Sequence, residues 1–568
     1  MAKLVTPGYN RASLVSDILH PYEERTLEFR GLNRKSSIEE GEMSDMKNLT
    51  SDGYPLLTPR KLRGTLDLPD GVKKPLSIIT KYERIAMIAQ KDDDSIAFYY
   101  DGEEVEGLAG LLSEDTSMVS INNKICFFPE NLYVQLYRNG DEIHITPTSP
   151  GTLGENTMVA TGSVYYPEGT NTARINLSEF TSLKKNDVVT INGYFNYTST
   201  AGTLSHISTS CVIMNSLSNG SAIEVSKDIV TSVIGVDASE ITFSGEICRK
   251  IPVIDHVIEW NNRLWGANSI SNTIYASKLG DPTNWEYYQG TSLDSYYAEQ
   301  GTDGDWTGSA AYSGHLIFFK ENSMTKIYGT SPATFQVTNA VCYGVENGSS
   351  KSVAIVNDIV LYKSSIGIMA YEGGTPYSIS NKLGEDYKNV VSGTEGRKYY
   401  ASIERNDGTY ELLVLDVERA VWHREDDVRF RDCCTWDGKL YFINAVDTAA
   451  FESDKVYIIN PDTATEAMWQ RKWEAVFGPF DETIEGKKIF SKLSLRFVTH
   501  PGATATIYIR MDDGGWERVR QVGFVETGGV TVPIVPRRCD RFSIRVAGVG
   551  DCEIKSLTRR YRRGSDRS

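Results

Sequence analysis

Trp260-Asn-Asn-Arg-Leu-Trp265 sets two turn-forming asparagines between apolar residues, and the same arrangement recurs along the chain. It occurs as Ile121-Asn-Asn-Lys-Ile-Cys-Phe-Phe128, Tyr312-Ser-Gly-His-Leu-Ile-Phe-Phe319, Val356-Asn-Asp-Ile-Val-Leu-Tyr362 and Trp436-Asp-Gly-Lys-Leu-Tyr-Phe442. Weaker copies are Lys81-Tyr-Glu-Arg-Ile-Ala-Met-Ile88 and the strand around Tyr399 and Tyr400. Asn, Asp and Gly tolerate the positive φ of tight hairpins, so each copy reads as a turn feeding a short buried strand. Turn centres fall near 83, 122, 261, 314, 357, 397 and 437. Most intervals are about 40 to 50 residues, the length of one four-stranded propeller blade. One such sheet cannot bury both faces, whereas a ring of them can. The alternative is a run of unrelated hairpins in a β-sandwich, and the period favours a propeller of six or seven blades.

Working outward, the interval from 122 to 261 is too long for one blade. Pro147 to Asn156 is rich in Pro, Gly, Ser and Thr, as linkers are. Residues 151–248 therefore read as an inserted small β domain, with a hairpin predicted over Asp187-Val-Val-Thr-Ile-Asn-Gly-Tyr-Phe-Asn-Tyr197. That leaves 75–150 for the first blades and 249–475 for the rest. Residues 476–568 alternate as antiparallel strands do, in Lys487–Arg496, Ala503–Arg510, Phe542–Val546 and Cys552–Thr558. They predict a C-terminal β-sandwich with a basic tail. Residues 1–74 lack a period and read as an extended arm. Helical periodicity is scarce, and its best instance is the short stretch Glu103–Leu112.

Composition agrees with an all-β chain: 31 Tyr and 19 Phe in 568 residues suit half-buried strands. The formal net charge of -16 argues against a broad adhesive surface for nucleic acid, which needs clustered Lys and Arg. It is compatible with a channel through which DNA passes without sticking. The eight cysteines form no C-x-x-C pair and read as buried free thiols of a reducing compartment. Met1 to Asn10 has no apolar core of a signal peptide, and no apolar run approaches 18 residues, so neither secretion nor membrane insertion is expected.

Catalytic spacing is not found. The chain has no H-E-x-x-H, P-loop or G-x-S-x-G. Gly344–Ser352 has the wrong spacing for a phosphate loop. The seven histidines are never closer than 50 residues, so no local metal pair exists. Asp92-Asp-Asp94 reads as a solvated turn rather than a cation site. Asp512-Asp-Gly-Gly-Trp516 resembles the Asp-box turn of sialidase propellers but occurs once and outside the blades. No catalytic, cofactor-binding or metal-ligating residue is singled out, and the chain reads as a non-enzyme. The basic end, with Arg559, Arg560, Arg562 and Arg563, is a candidate for docking on an acidic neighbour.

Three stretches resemble structural proteins of tailed bacteriophages of gut bacteria: Gly41–Arg60; Trp260–Ala267 with Ile274–Ser277 and Asp281–Trp285; and Tyr561–Arg567. Such proteins, often labelled stabilisation proteins, are similar to the propeller nozzle of short-tailed phages. The resemblance implies a virion tail protein assembled in the host cytoplasm. It implies a ring, a hexamer by that analogy, below the portal and adaptor proteins and next to tail fibre or needle proteins. DNA would be retained, then conducted through the lumen without sequence-specific binding. No functional residue carries over, because that family works through surfaces. A receptor- or glycan-binding tail protein is the alternative.

Overall fold

The computed structural model describes residues 21–140, 142–145, 150–179, 181, 183–198, 204–217, 220–236, 238–481, 486–523 and 527–563. The chain is a β-propeller protein, with seven antiparallel blade sheets among the described residues, six of four strands and one of five. It divides into two compact units, Pro69–Ser350 and Met1–Leu68 with Lys351–Ser568.

The first unit holds four blades and the insertion. Blade one runs Val72–Lys81, Arg84–Lys91, Ile96–Tyr100 and Glu103–Glu104. Blade two runs Ser117–Ile121, Lys124–Phe128, Leu132–Asn139 and Glu142–Ile145. Blade three begins at His256–Trp260 and blade four at Trp306–Tyr312. The opening strands neighbour one another, blade to blade. The motif turns work as read: Tyr82 and Glu83, and Asn261 and Asn262, all have positive φ, which type I′ hairpins require at both central positions. Second strands such as Arg263–Asn268 and His315–Lys320 are buried at every residue, since both faces are covered. Leu316 and Phe318 of blade four pack with Trp265, Ala267 and Ile274 of blade three.

The insertion is a seven-stranded sheet from Glu155–Tyr165 to Ser239–Arg249, with its own core of Val159, Ile191, Phe195, Ile223 and Phe243. Gly151–Thr152 pairs instead with Leu132 and Tyr133 of blade two. The hairpin expected at Asn192-Gly193 is corrected: Val188–Thr198 is one continuous strand. Gly193 sits opposite Gly245, and a Cβ there would lie 2.3 Å from the Ser244 carbonyl oxygen. The glycine serves close strand approach, not a turn. The helical expectation is also corrected. Glu103–Glu104 is an edge strand, and the α-helix among the described residues is Lys227–Ile234, with Val230 and Ile234 buried. Its β-branched residues disguised a two-turn amphipathic period.

The second unit holds blades five to seven, opening at Ala354–Val356, Tyr387–Thr394 and Phe430–Trp436. The last blade takes its fourth strand, Gly64–Leu66, from ahead of blade one in sequence, paired to Val456–Ile458. The sandwich has two sheets. The four-stranded one orders Tyr22–Thr26, Cys552–Arg563, Lys488–Thr499 and Thr527–Cys539. The six-stranded one contains Gly31–Leu32 and Glu42–Lys47 beside Lys472–Phe480. The Phe490 and Phe542 rings stack across the sheets at 4.3 Å. Residues 21–66 are thus not an extended arm. Short apolar pairs such as Gly31-Leu32 and Leu49-Thr50 are buried strands too brief to show a period.

Candidate functional site

Two arrangements of polar side chains stand out in the second unit. One is a buried ionic network; the other is a basic outer sheet face.

The network forms where the segment leading to Gly64–Leu66 crosses the end of blade six. Arg60 and Arg63 are both almost fully buried. The Arg60 guanidinium donates to both Glu466 carboxylate oxygens, at 2.8 and 2.9 Å. Arg63 donates to Glu425 at 2.5 Å and to Asp426 at 3.0 Å. His423 lies 3.3 Å from the other Glu425 oxygen. Lys398 donates to Thr50 at 3.2 Å and Asp52 at 2.5 Å, and Ser51 donates to Asp416 at 2.9 Å. Burial penalises each charge, yet the Arg63 and His423 side chains hold Glu425 well below its usual range. Asp426, buried with Glu425 and Glu466 nearby, is pushed up despite Arg63 and Arg60. Burial lowers His423. These are groups holding one another; Arg63 and Glu466 also edge a hollow of about 250 Å³ with Thr65, Phe451, Lys455 and Gln470.

The four docking residues divide. Arg559 is buried, its guanidinium 2.7 Å from Glu40, 3.3 Å from Thr26 Oγ1 and 3.7 Å from the Phe480 ring centroid. Its expected role in docking is corrected: strand alternation turns it inward. Arg560, Arg562 and Arg563 are exposed. Arg560 opens onto a concavity of about 300 Å³ on the outer face of the four-stranded sheet, with Arg25, Lys492 and Arg496. Register places Lys492 opposite Arg560, Ser494 opposite Thr558 and Arg496 opposite Ser556. Arg25 lies opposite Thr558, and Glu23 is the one acid lining the hollow. Alternation in three strands, not sequence proximity, gathers these cations.

In the first unit, Asp187 is buried and accepts from Arg249 at 2.8 Å and from Asn284 at 2.9 Å. Asn284 belongs to Asp281–Trp285, so that stretch ties the insertion to blade three. The outer face of the insertion exposes Tyr194, set edge-on to His206 at 4.9 Å, among Asn192, Asn196 and Ser208. Blade three also buries Arg263 against the carbonyls of Ser277, Ser292 and Asp294 at 2.5 to 2.7 Å, and burial lowers its pKa to about 10.

The other candidates take structural places. Asp93 accepts from Ser95 in a turn, and Asp512 accepts from the Asp540 and Arg541 amides. Among the described residues no cluster of His, Cys, Asp and Glu could hold a metal ion, and the cysteines are free thiols. Among the described residues no helix is long and apolar enough to cross a membrane.

No family model and no curated protein matches the chain. Solved structures similar to it include BamB from Moraxella catarrhalis, at 10% identity and TM-score 0.30 over 71% of this chain and 99% of that one. PorZ, an essential surface component of the type-IX secretion system of Porphyromonas gingivalis, is similar at 12% identity and TM-score 0.28 over 87% and 78%. An exo-β-1,3-galactanase from Phanerochaete chrysosporium is similar at 8% identity and TM-score 0.21 over 54% and 95%. Likenesses of this depth say nothing about what the chain does.

Proposed function

We propose that the chain is a structural subunit of a bacteriophage tail-channel ring, a nozzle that retains DNA and conducts it at infection, and that it has no turnover. The observation that carries this reading is the role of the resembling stretches. Gly41–Arg60 supplies the sandwich strand Glu42–Lys47 and, with Asn48, Thr50 and Arg60, part of the buried network. Tyr561 of the final stretch is buried, 5.6 Å from Phe490. Asp281–Trp285 holds the insertion. What resembles phage tail proteins is the part that locks the architecture, as expected where surfaces and not catalytic groups do the work. The overall acidity suits a lumen that DNA passes without counterion-release binding. Portal and adaptor proteins would be the ring's neighbours above, fibre or needle proteins those below.

Imaging of the assembled particle tests it. A ring of this chain on the tail axis, with DNA density through it, is the expected result. A position off the axis, as a fibre or spike, would overturn it.

One observation favours a second reading. The Tyr194 and His206 rings, flanked by asparagines and serines on an open sheet, offer the stacking surface and neutral hydrogen-bonding groups that bind sugars. Retention of the isolated insertion on a host-cell glycan array, lost in Tyr194→Ala, would support it.

A further inference from the structure

We infer that the basic outer face of the sandwich docks on the acidic edge of blade one in a second copy of this chain, joining copies head to tail. This rests on the ring reading above and names its contact surfaces.

The charge pattern carries the inference. The chain has 75 acidic and 59 basic side chains, yet Arg25, Lys492, Arg496 and Arg560 share one hollow with a single acid. Arg560 is 3.8 Å from that acid, Glu23, and both are about half exposed. Arg25, Lys492 and Arg496 have no ion pair among the described residues. Hydroxyls of Ser494, Ser556 and Thr558 line the floor and can donate to carboxylates alongside the cations.

The complement lies in blade one. Residues 82–115 carry ten acids and two basic residues, and all ten acids are exposed. Three are neutralised locally: Asp94 by Lys73, Asp101 by Arg84 and Glu104 by Lys91, at 2.5 to 3.1 Å. Asp92, Asp93, Glu103 and Glu106 have no ion pair among the described residues. They sit in a hairpin turn, on the edge strand Glu103–Glu104 and just after it. Their surplus of negative charge meets the surplus of positive charge on the sandwich, which is the condition for electrostatic steering and register.

Basic-on-acidic docking sets no like charges against one another, and where it runs head to tail such contacts close into rings when the rotation permits. A phosphate polymer would find the same cations, but the acidic remainder of the chain opposes it.

The test uses full-length protein at low salt. Carbodiimide coupling of mixed light and isotope-heavy copies should join Lys492 of one copy to Asp92, Asp93, Glu103 or Glu106 of another, and salt should suppress it. Two charge reversals follow, Lys492→Glu with Arg496→Glu, and Asp93→Lys with Glu103→Lys. In sedimentation, each alone should weaken self-association by about tenfold or more. Mixed together they should associate again, because each variant then offers the other a complementary pair. Failure to cross-link at any concentration, self-association untouched by either reversal, or no recovery on mixing would overturn the inference. So would salt-sensitive DNA binding that is lost with Lys492 and Arg496 while self-association stays. An axial ring with other contacts would overturn this interface and leave the tail-ring reading standing. An off-axis location would overturn the tail-ring reading while the cross-links remained.

Discussion

Replacing Arg63 with methionine removes a charge from the buried network while keeping most of the side chain's length. In the folded chain Arg63 is 1% exposed, 2.5 Å from Glu425 and 2.9 Å from Asp426. Asp426 would keep Arg60, 3.3 Å away. Glu425 would keep His423, which burial holds towards its neutral form, and the more distant charge of Lys398. The loss is therefore that of one buried carboxylate stripped of its cation, ~3–5 kcal/mol. It should fall on the neighbouring strand Gly64–Leu66, which has only three paired residues to hold it. Hydrogen exchange reads this locally, which matters because the two units need not unfold together. Amides of Thr65, Leu66 and the facing Val456–Ile458 should lose protection by that amount, with blades one to four unchanged. Arg537→Met, at an ion pair about half exposed on both sides, is the control and should change protection little. A loss for Arg63→Met no larger than the control, or one that spares residues 64–66, would refute the reasoning.

Other outcomes follow from the same contacts. Asp187→Ala leaves Arg249 buried without its anion; limited proteolysis should release the insertion faster, while its own seven-stranded core stays protected. For the same reason residues 153–249 expressed alone should give a cooperative unfolding transition, and its absence would show that the insertion needs blade three. His256, His315 and His423 are all lowered from 6.5, chiefly by burial. The unfolded chain takes up those protons first, so their contribution is complete above 6.5 and is lost as pH falls towards the folded values; Tm should drop between about pH 7 and pH 5, and a flat profile would contradict this. Burial pushes the Cys126, Cys211 and Cys434 thiols up to about 12, so all three should resist iodoacetamide until the protein unfolds.

The blades were legible because each repeats a turn whose backbone demands particular residues. Asn261-Asn262, Asn357-Asp358 and Asp437-Gly438 all adopt positive φ at both positions, and few residue types do so cheaply. Asn192-Gly193 carries the same letters without the turn, because only the partner strand shows that Gly193 faces Gly245. The N-terminal strands were illegible for a different reason. Two- and three-residue strands have no period, and some partners are remote: Gly64–Leu66 pairs about 390 residues away and Tyr22–Thr26 some 530 to 540 residues away. The basic face was half legible. Arg560, Arg562 and Arg563 stood out as a run, but the run also contains Arg559, which alternation buries. Arg25, Lys492 and Arg496 join Arg560 only through register across three strands, which no local spacing encodes.

The ionic network answers a problem that an apolar contact would not. Gly64–Leu66 closes the last blade with three residues, only one of them large and apolar. Such a strand could slip by one residue at little hydrophobic cost, and a slip turns every side chain to the opposite face. Arg60 and Arg63 flank it on the N-terminal side and share Asp426, while Arg60 also binds Glu466 and Arg63 also binds Glu425. The Arg63 amide also donates to Glu466 at 2.7 Å, so backbone and side chains fix the same register. A slip of one residue would break all of these bonds at once and leave buried charges unpaired. Greasy residues in the same places would tolerate it. The Arg471 guanidinium, hydrogen-bonded to the Arg60 carbonyl and 2.5 Å from Asp551, carries the constraint into the sandwich. Directional bonds thus set the register of the strand that completes the seventh blade, where hydrophobic burial supplies too little discrimination to do so.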